Sequence, residues 1–210
     1  MSEYGYLPDS ANIEQSFGNN KGIFNPKDIY DLTRADKYTN YGQLELIETK
    51  TGSGVSAIDF TDLKTNLYNV HFATIDVNLN GTSSVQIRFF ESGVLETGSV
   101  YQYAFQNGQA TGSFSVTKTT SDNRLFATRT GGTDEPRQAY NYFYNLGDST
   151  KYSFVTMQGI SRSSPTTACD MRFGSGVLPQ ASQVDGIRFT NTASQLLTGS
   201  ISLYGIKEYS

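Results

Sequence analysis

The chain has 210 residues, with 16 Lys and Arg against 20 Asp and Glu, giving a net charge of −4. Its basic residues form no run, which excludes a sequence-independent grip on nucleic acid, since that needs clustered positive charge. One Cys and one His exclude an internal disulfide and the usual zinc ligand set.

Charged residues are 17% of the chain and aromatics 13%, all Tyr and Phe with no Trp. Gly, Ser, Thr and Asn are abundant, a composition of turns and pleated faces. The lone Cys169 fits assembly in a reducing cytoplasm. The opening residues 2–8 are polar and aromatic, so a signal peptide is not expected. No apolar stretch approaches the ~18 residues of a membrane helix, and no membrane insertion is expected.

Residues 1–25 show no period and read as an extended arm. Gly18 and Gly22 bracket a flexible stretch, with Ile13, Phe17, Ile23 and Phe24 as separate apolar anchors. We read these four as assembly contacts. Residues 26–42 hold a short helix and a connector. Asn25 can cap the helix, Pro26 suits its first turn, and Ile29 and Leu32 share a face.

Residues 43–210 read as strand and turn. Leu44 and Leu46 alternate with polar neighbours, residues 51–54 read as a hairpin turn, and residues 55–60 as the next strand. A long strand is predicted from residue 67 to 77, with Tyr68, Val70, Phe72 and Thr74 on one face. Further strands follow at 85–89, 99–106, 114–118, 139–146, 151–160 and 171–173, then two more before the terminus. Ten to twelve short strands without a fixed repeat predict an all-β fold: an antiparallel, jelly-roll-like sandwich. Its predicted core holds Val70, Phe72, Ile87, Phe89, Phe154, Ile187, Phe189, Ile201 and Leu203.

Chemistry-bearing groups are few. His71 sits mid-strand between Val70 and Phe72, where packing or a sheet hydrogen bond is the ordinary role. Cys169 has no neighbouring charge to stabilise a thiolate. Calcium needs clustered oxygen ligands; Asp59 with Asp62, or Asp28 with Asp31, fall short of a dense acidic loop, so no metal or other cofactor is expected. Glu45 and Glu48 fall on opposite faces of a regular strand, and Glu91 and Glu96 flank a turn; neither spacing defines a glycosidase pair. No catalytic residue is assigned. Tyr101, Tyr103, Tyr140, Tyr142 and Tyr144 alternate on predicted strands and are candidates for an aromatic contact surface. They could instead stack host glycans, or pack across strands.

Several segments together resemble short structural proteins of tailed phages of marine bacteria, the cyanophages and pelagiphages. They are Glu14-Gln-Ser-Phe-Gly18, the stretches 24–33 and 41–49, Tyr68-Asn-Val-His-Phe72, the stretch 142–154, Val184-Asp-Gly-Ile-Arg-Phe189 and Gly199-Ser-Ile-Ser-Leu-Tyr-Gly-Ile206. The resemblance implies a virion component, as a capsid decoration, neck or tail-fibre piece assembled in the host cytoplasm, and it carries over no catalytic residue. The expected partners are other virion proteins and further copies of the chain, for instance as a trimer. The competing expectation is a carbohydrate-binding module for host surface glycans. A depolymerising enzyme is disfavoured, because no repeated parallel-coil pattern occurs.

Overall fold

A strand gives its side chains to two faces in turn, so burial of one face of each strand fixes how the strands can stack. The computed structural model describes residues 26–35, 44–112, 114–162, 168–191 and 195–206. The chain divides into two units, residues 1–41 and 42–210. In the first, α1 (Pro26–Arg34) is a nine-residue helix stapled on its surface by Lys27 and Asp31 at 2.8 Å. The four arm anchors, Ile13, Phe17, Ile23 and Phe24, lie outside the described residues.

The second unit is built from thirteen strands among the described residues. They are β1 (Leu44–Val55), β2 (Ile58–Phe60), β3 (Val70–Leu79), β4 (Gln86–Glu91), β5 (Val94–Leu95), β6 (Tyr101–Gln109) and β7 (Phe114–Asp122), then β8 (Leu125–Phe126), β9 (Pro136–Tyr144), β10 (Ser153–Arg162), β11 (Cys169–Leu178), β12 (Val184–Thr190) and β13 (Leu197–Ile206). One sheet runs β1-β13-β3-β9-β10-β11-β6-β7, the other β2-β12-β4-β5 with β8 beside β4. Every pair is antiparallel. The expected antiparallel sandwich is therefore observed. A jelly roll is a finer description, of strand order, than two stacked antiparallel sheets.

The two sheets meet through aromatic rings. Phe143 of β9 meets Phe89 of β4 and Phe189 of β12 edge-on, with centroids 6.2 and 6.4 Å apart. Within the small sheet, Phe60 of β2 braces Phe189 edge-on at 5.9 Å. Around them pack Ile75, Val77, Leu79, Ile87, Leu178, Ile187, Ile201 and Leu203, all buried. At one end of the core, Arg172 lies over the rings of Phe105 and Phe126, at 5.2 and 4.9 Å, and donates to Asn107 Oδ1 at 2.7 Å.

Three core expectations need correction. Val70 and Phe72 are half-buried and Phe154 is exposed, because they lie on the outward face of the large sheet. On β3 the inward row is His71, Ala73, Ile75, Val77 and Leu79. The predicted turn at residues 51–54 is also absent. β1 continues through it, paired with residues 198–200 of β13, and the two glycines accommodate a register shift between Ser53 and Val55 instead of a reversal.

Arg137, on the inward face of β9, is fully buried without a carboxylate partner among the described residues. Its guanidinium donates to five backbone carbonyls, those of Gly81, Ser83, Gly131, Gly132 and Glu135, at 2.7–2.9 Å. The fork thus ties the β3–β4 connection to the loop before β9. Burial lowers its pKa to about 10, so it stays charged at neutral pH.

Two stability outcomes follow from this packing. Phe189→Ala should lower the unfolding free energy by about 3–5 kcal/mol, and Phe154→Ala by less than about 1 kcal/mol, in urea titrations. Arg137→Met should cost about 3–5 kcal/mol, because it strands several buried carbonyls. A neutral result for Arg137→Met would mean that water replaces the fork.

Candidate functional site

Residues directly opposite one another in an antiparallel pair point to the same side. That rule traces the outward face of the eight-stranded sheet. Leu46 lies opposite Tyr204, Tyr204 opposite Phe72, and Phe72 opposite Tyr142. The next rows place Gln158 between Tyr140 and Phe173, and Ile160 opposite Met171. Phe114 and Val116 continue the face on β7, opposite Gly108 and Gln106. A belt rich in large apolar side chains therefore crosses the sheet, from Leu44 and Leu46 at one edge to Phe114 and Val116 at the other, interrupted by Thr156, Gln158, Ser175 and Gln106.

Much of this belt is open to solvent. Phe154 is 43% exposed, Ile160 47%, Phe173 42% and Val116 68%. Among the described residues of this unit, no further sheet covers it. Of the outward strand positions, only Asp76, Lys118 and Arg162 carry charge. Arg162 is paired with Glu135 at 2.9 Å, and Asp76 accepts from Gln138 at 3.4 Å.

The face has two textures. Near β3 and β9, Phe72 sits 4.8 Å from the Tyr142 ring and 6.1 Å from those of Tyr140 and Tyr204. Tyr142 and Tyr144 stack at 6.5 Å. The Tyr140 hydroxyl donates to Gln158 at 2.5 Å. These rings brace one another laterally, the ordinary way cross-strand aromatics stiffen a sheet. A shallow groove of about 330 Å³ runs beside them, lined by Phe72, Asp76, Gln138, Tyr140, Gln158 and Ile160. Towards β6 and β7, small residues, Ala104 and Ser175, lower the surface into a broader groove of about 690 Å³ walled by Phe154, Val177 and Lys118.

The five tyrosines expected to form one surface divide between two. Tyr140, Tyr142 and Tyr144 share the outward face. Tyr101 is fully buried in the core, where it donates to Glu96 O and accepts from Phe89 N, and burial raises its pKa. Tyr103 also points inward, stacked on Phe105 at 4.7 Å and donating to Asp122 at 2.8 Å. Burial first, then Asp122, pushes its pKa up to about 12. Phe154, Ile160, Met171 and Phe173 complete the outward patch, and alternation along single strands does not single them out. Their signal lies in the pairing: each falls at a position that the register places on the same side as a tyrosine.

The carboxylate pairs also resolve. A register shift between Leu46 and Glu48 puts Glu45 and Glu48 on the same side of β1, correcting the expectation of opposite faces. Glu45 accepts from the Tyr68 hydroxyl at 2.6 Å. Ser92 and Gly93, with φ of 52° and 77°, make the left-handed two-residue turn that brings Glu91 towards Glu96. Burial raises the Glu91 pKa most, Ser182 donates to it and lowers the pKa, and the Glu96 carboxylate raises it further. Asp59 is held bidentately by Arg188 at 2.6 and 2.7 Å, and Asp62 pairs with Lys64 at 2.5 Å. The described residues hold no group of three or more His, Cys, Asp or Glu fit for a metal ion. Cys169 is exposed on β11 opposite Arg162. No helix among the described residues is long and apolar enough to cross a membrane.

His71 is sealed inside the sandwich. Its Nε2 lies 2.6 Å from Leu63 O, which makes that nitrogen the donor, and its Nδ1 has no partner among the described residues. The Tyr68 ring packs edge-on against it, in space left open because residue 205 is Gly; a Cβ there would collide with that ring. Burial lowers the imidazole pKa below 6.5, outweighing the Leu63 bond. The unfolded chain then binds a proton that the folded chain refuses, so His71 makes stability fall as pH drops below about 6.5. His71→Gln should flatten this dependence between about pH 5.5 and 7 in urea titrations. An equal slope in both proteins would place the titration elsewhere.

No family model, no curated protein and no solved structure matches the chain.

Proposed function

We propose that the protein is a structural component of a phage virion that works through protein contacts made by the outward face of its eight-stranded sheet. One observation carries the reading: a nearly uncharged outward face on which large apolar side chains, Leu46, Phe154, Ile160, Phe173 and Val116 among them, stand exposed between Thr, Ser and Gln positions. Monomeric proteins rarely leave a patch of this kind open, because exposed apolar area on this scale favours association. The phage setting rests on the sequence segments above and gives no finer position than the particle.

Glycan recognition is the second reading. The groove beside Tyr140 favours it, since it joins ring faces to amide and carboxylate groups. Against it, those polar groups, though exposed, already bond one another, and apolar Ile160, Met171 and Phe173 stand exposed beside them. A sugar surface needs free hydrogen-bonding groups beside its rings.

Phe173→Asp separates the readings. The variant should fold, with an unchanged melting temperature at high dilution, and be left out of particles when supplied in competition with the unsubstituted chain during infection. Equal incorporation of both proteins would defeat the assembly reading. Binding of the unsubstituted chain to host polysaccharide that is lost in Tyr140→Ala would favour the glycan reading.

A further inference from the structure

We infer that the occupant of the outward sheet face is a second copy of this chain, packed face to face about a two-fold axis. The inference rests on the assembly reading above and specifies its first contact.

Area is the first argument. Seven inter-strand spacings of about 4.8 Å, and strands rising about 3.3 Å per residue, give a face of roughly 1,000 Å². A stable interface takes about 800 Å² from each partner, so one face is large enough by itself. Charge is the second. An isologous contact sets a surface against its own copy, so any net charge repels itself. This face offers one acid, Asp76, and one base, Lys118, on strands far apart in the sheet, while Arg162 is neutralised by Glu135. Shape is the third. The large sheet already packs one face on the small sheet through interdigitated rings. Its other face also presents large apolar groups, Phe72, Phe154, Ile160 and Phe173, in pleated rows, with Thr and Gln between them. Two such faces can pack as aligned sheets about 10 Å apart. A face that meets its own copy about a two-fold axis closes at two copies, so this contact by itself gives a dimer.

The full chain should sediment at twice its 23.1 kDa monomer mass at micromolar concentration. Ile160→Asp and Phe173→Asp should each weaken the dimer by about 30-fold or more, since each substitution occurs twice in a two-fold contact. Their circular dichroism and melting temperature, read at high dilution, should match those of the unsubstituted monomer. Val94→Asp, exposed on the small sheet, should leave the dimer intact. The inference is overturned if the full chain is monomeric at about 100 µM, or if the dimer survives both substitutions on the large sheet. A monomer whose Phe173→Asp variant still fails to enter particles would remove the self-contact and keep the assembly reading. A monomer whose Tyr140→Ala variant loses polysaccharide binding would remove both.

Discussion

The meeting of Phe143 with Phe89 and Phe189 is the contact on which the rest of the molecule depends. It fixes the distance between the sheets and the parity of β9. Once Phe143 points inward, the pleat leaves Tyr142 and Tyr144 no choice but to point outward. The hydrogen-bonded register then carries that choice across eight strands, because opposite residues share a side. One aromatic cluster in the core therefore decides the composition of a surface some strands away.

The division of labour between the sheets follows from their sizes. Five short strands cover one face of an eight-stranded sheet, and the core ends where the small sheet ends. Polar groups close the margins. Arg172 lies over Phe105 and Phe126 at one end, and Arg137 gathers five carbonyls from two loops at another. Both are buried cations without an ion pair of their own among the described residues, held by oxygens and ring faces. Such an arrangement is directional, so it sets loop geometry more tightly than apolar packing would.

Element type was legible in the sequence; side-chain direction was legible only where one face of a strand is polar. On β4 and β12 the alternation is strong, and Ile87, Phe89, Ile187 and Phe189 were placed correctly. On β10 both rows carry apolar groups: Val155 and Met157 inward, Phe154 and Ile160 outward. With two candidate faces, period two cannot say which is buried. On β3, Val70 and Phe72 outweighed the longer row that begins at His71. Both errors have one origin, a sheet whose outer face carries large apolar side chains among its polar ones. The candidate surface was half visible for the same reason. Alternation grouped Tyr140, Tyr142 and Tyr144, but only register brings Phe173 and Met171 beside them and sends Tyr101 into the core. The glycines of residues 52 and 54 show a third limit, since a turn and a bulge use the same residue type.

The strand order has a consequence for how the chain reaches this state. β13 lies between β1 and β3, so its ten residues are paired on both sides by segments made more than a hundred residues earlier. Until residues 197–206 emerge from the ribosome, β1 has no partner in its sheet and β3 lacks one of its two. The large sheet therefore closes after synthesis has passed its last strand, through contacts of high sequence separation, which fold slowly. During that interval the belt and an open strand edge are exposed together. This is the period in which the chain is most prone to misassociate, and in which chaperones have most to act on.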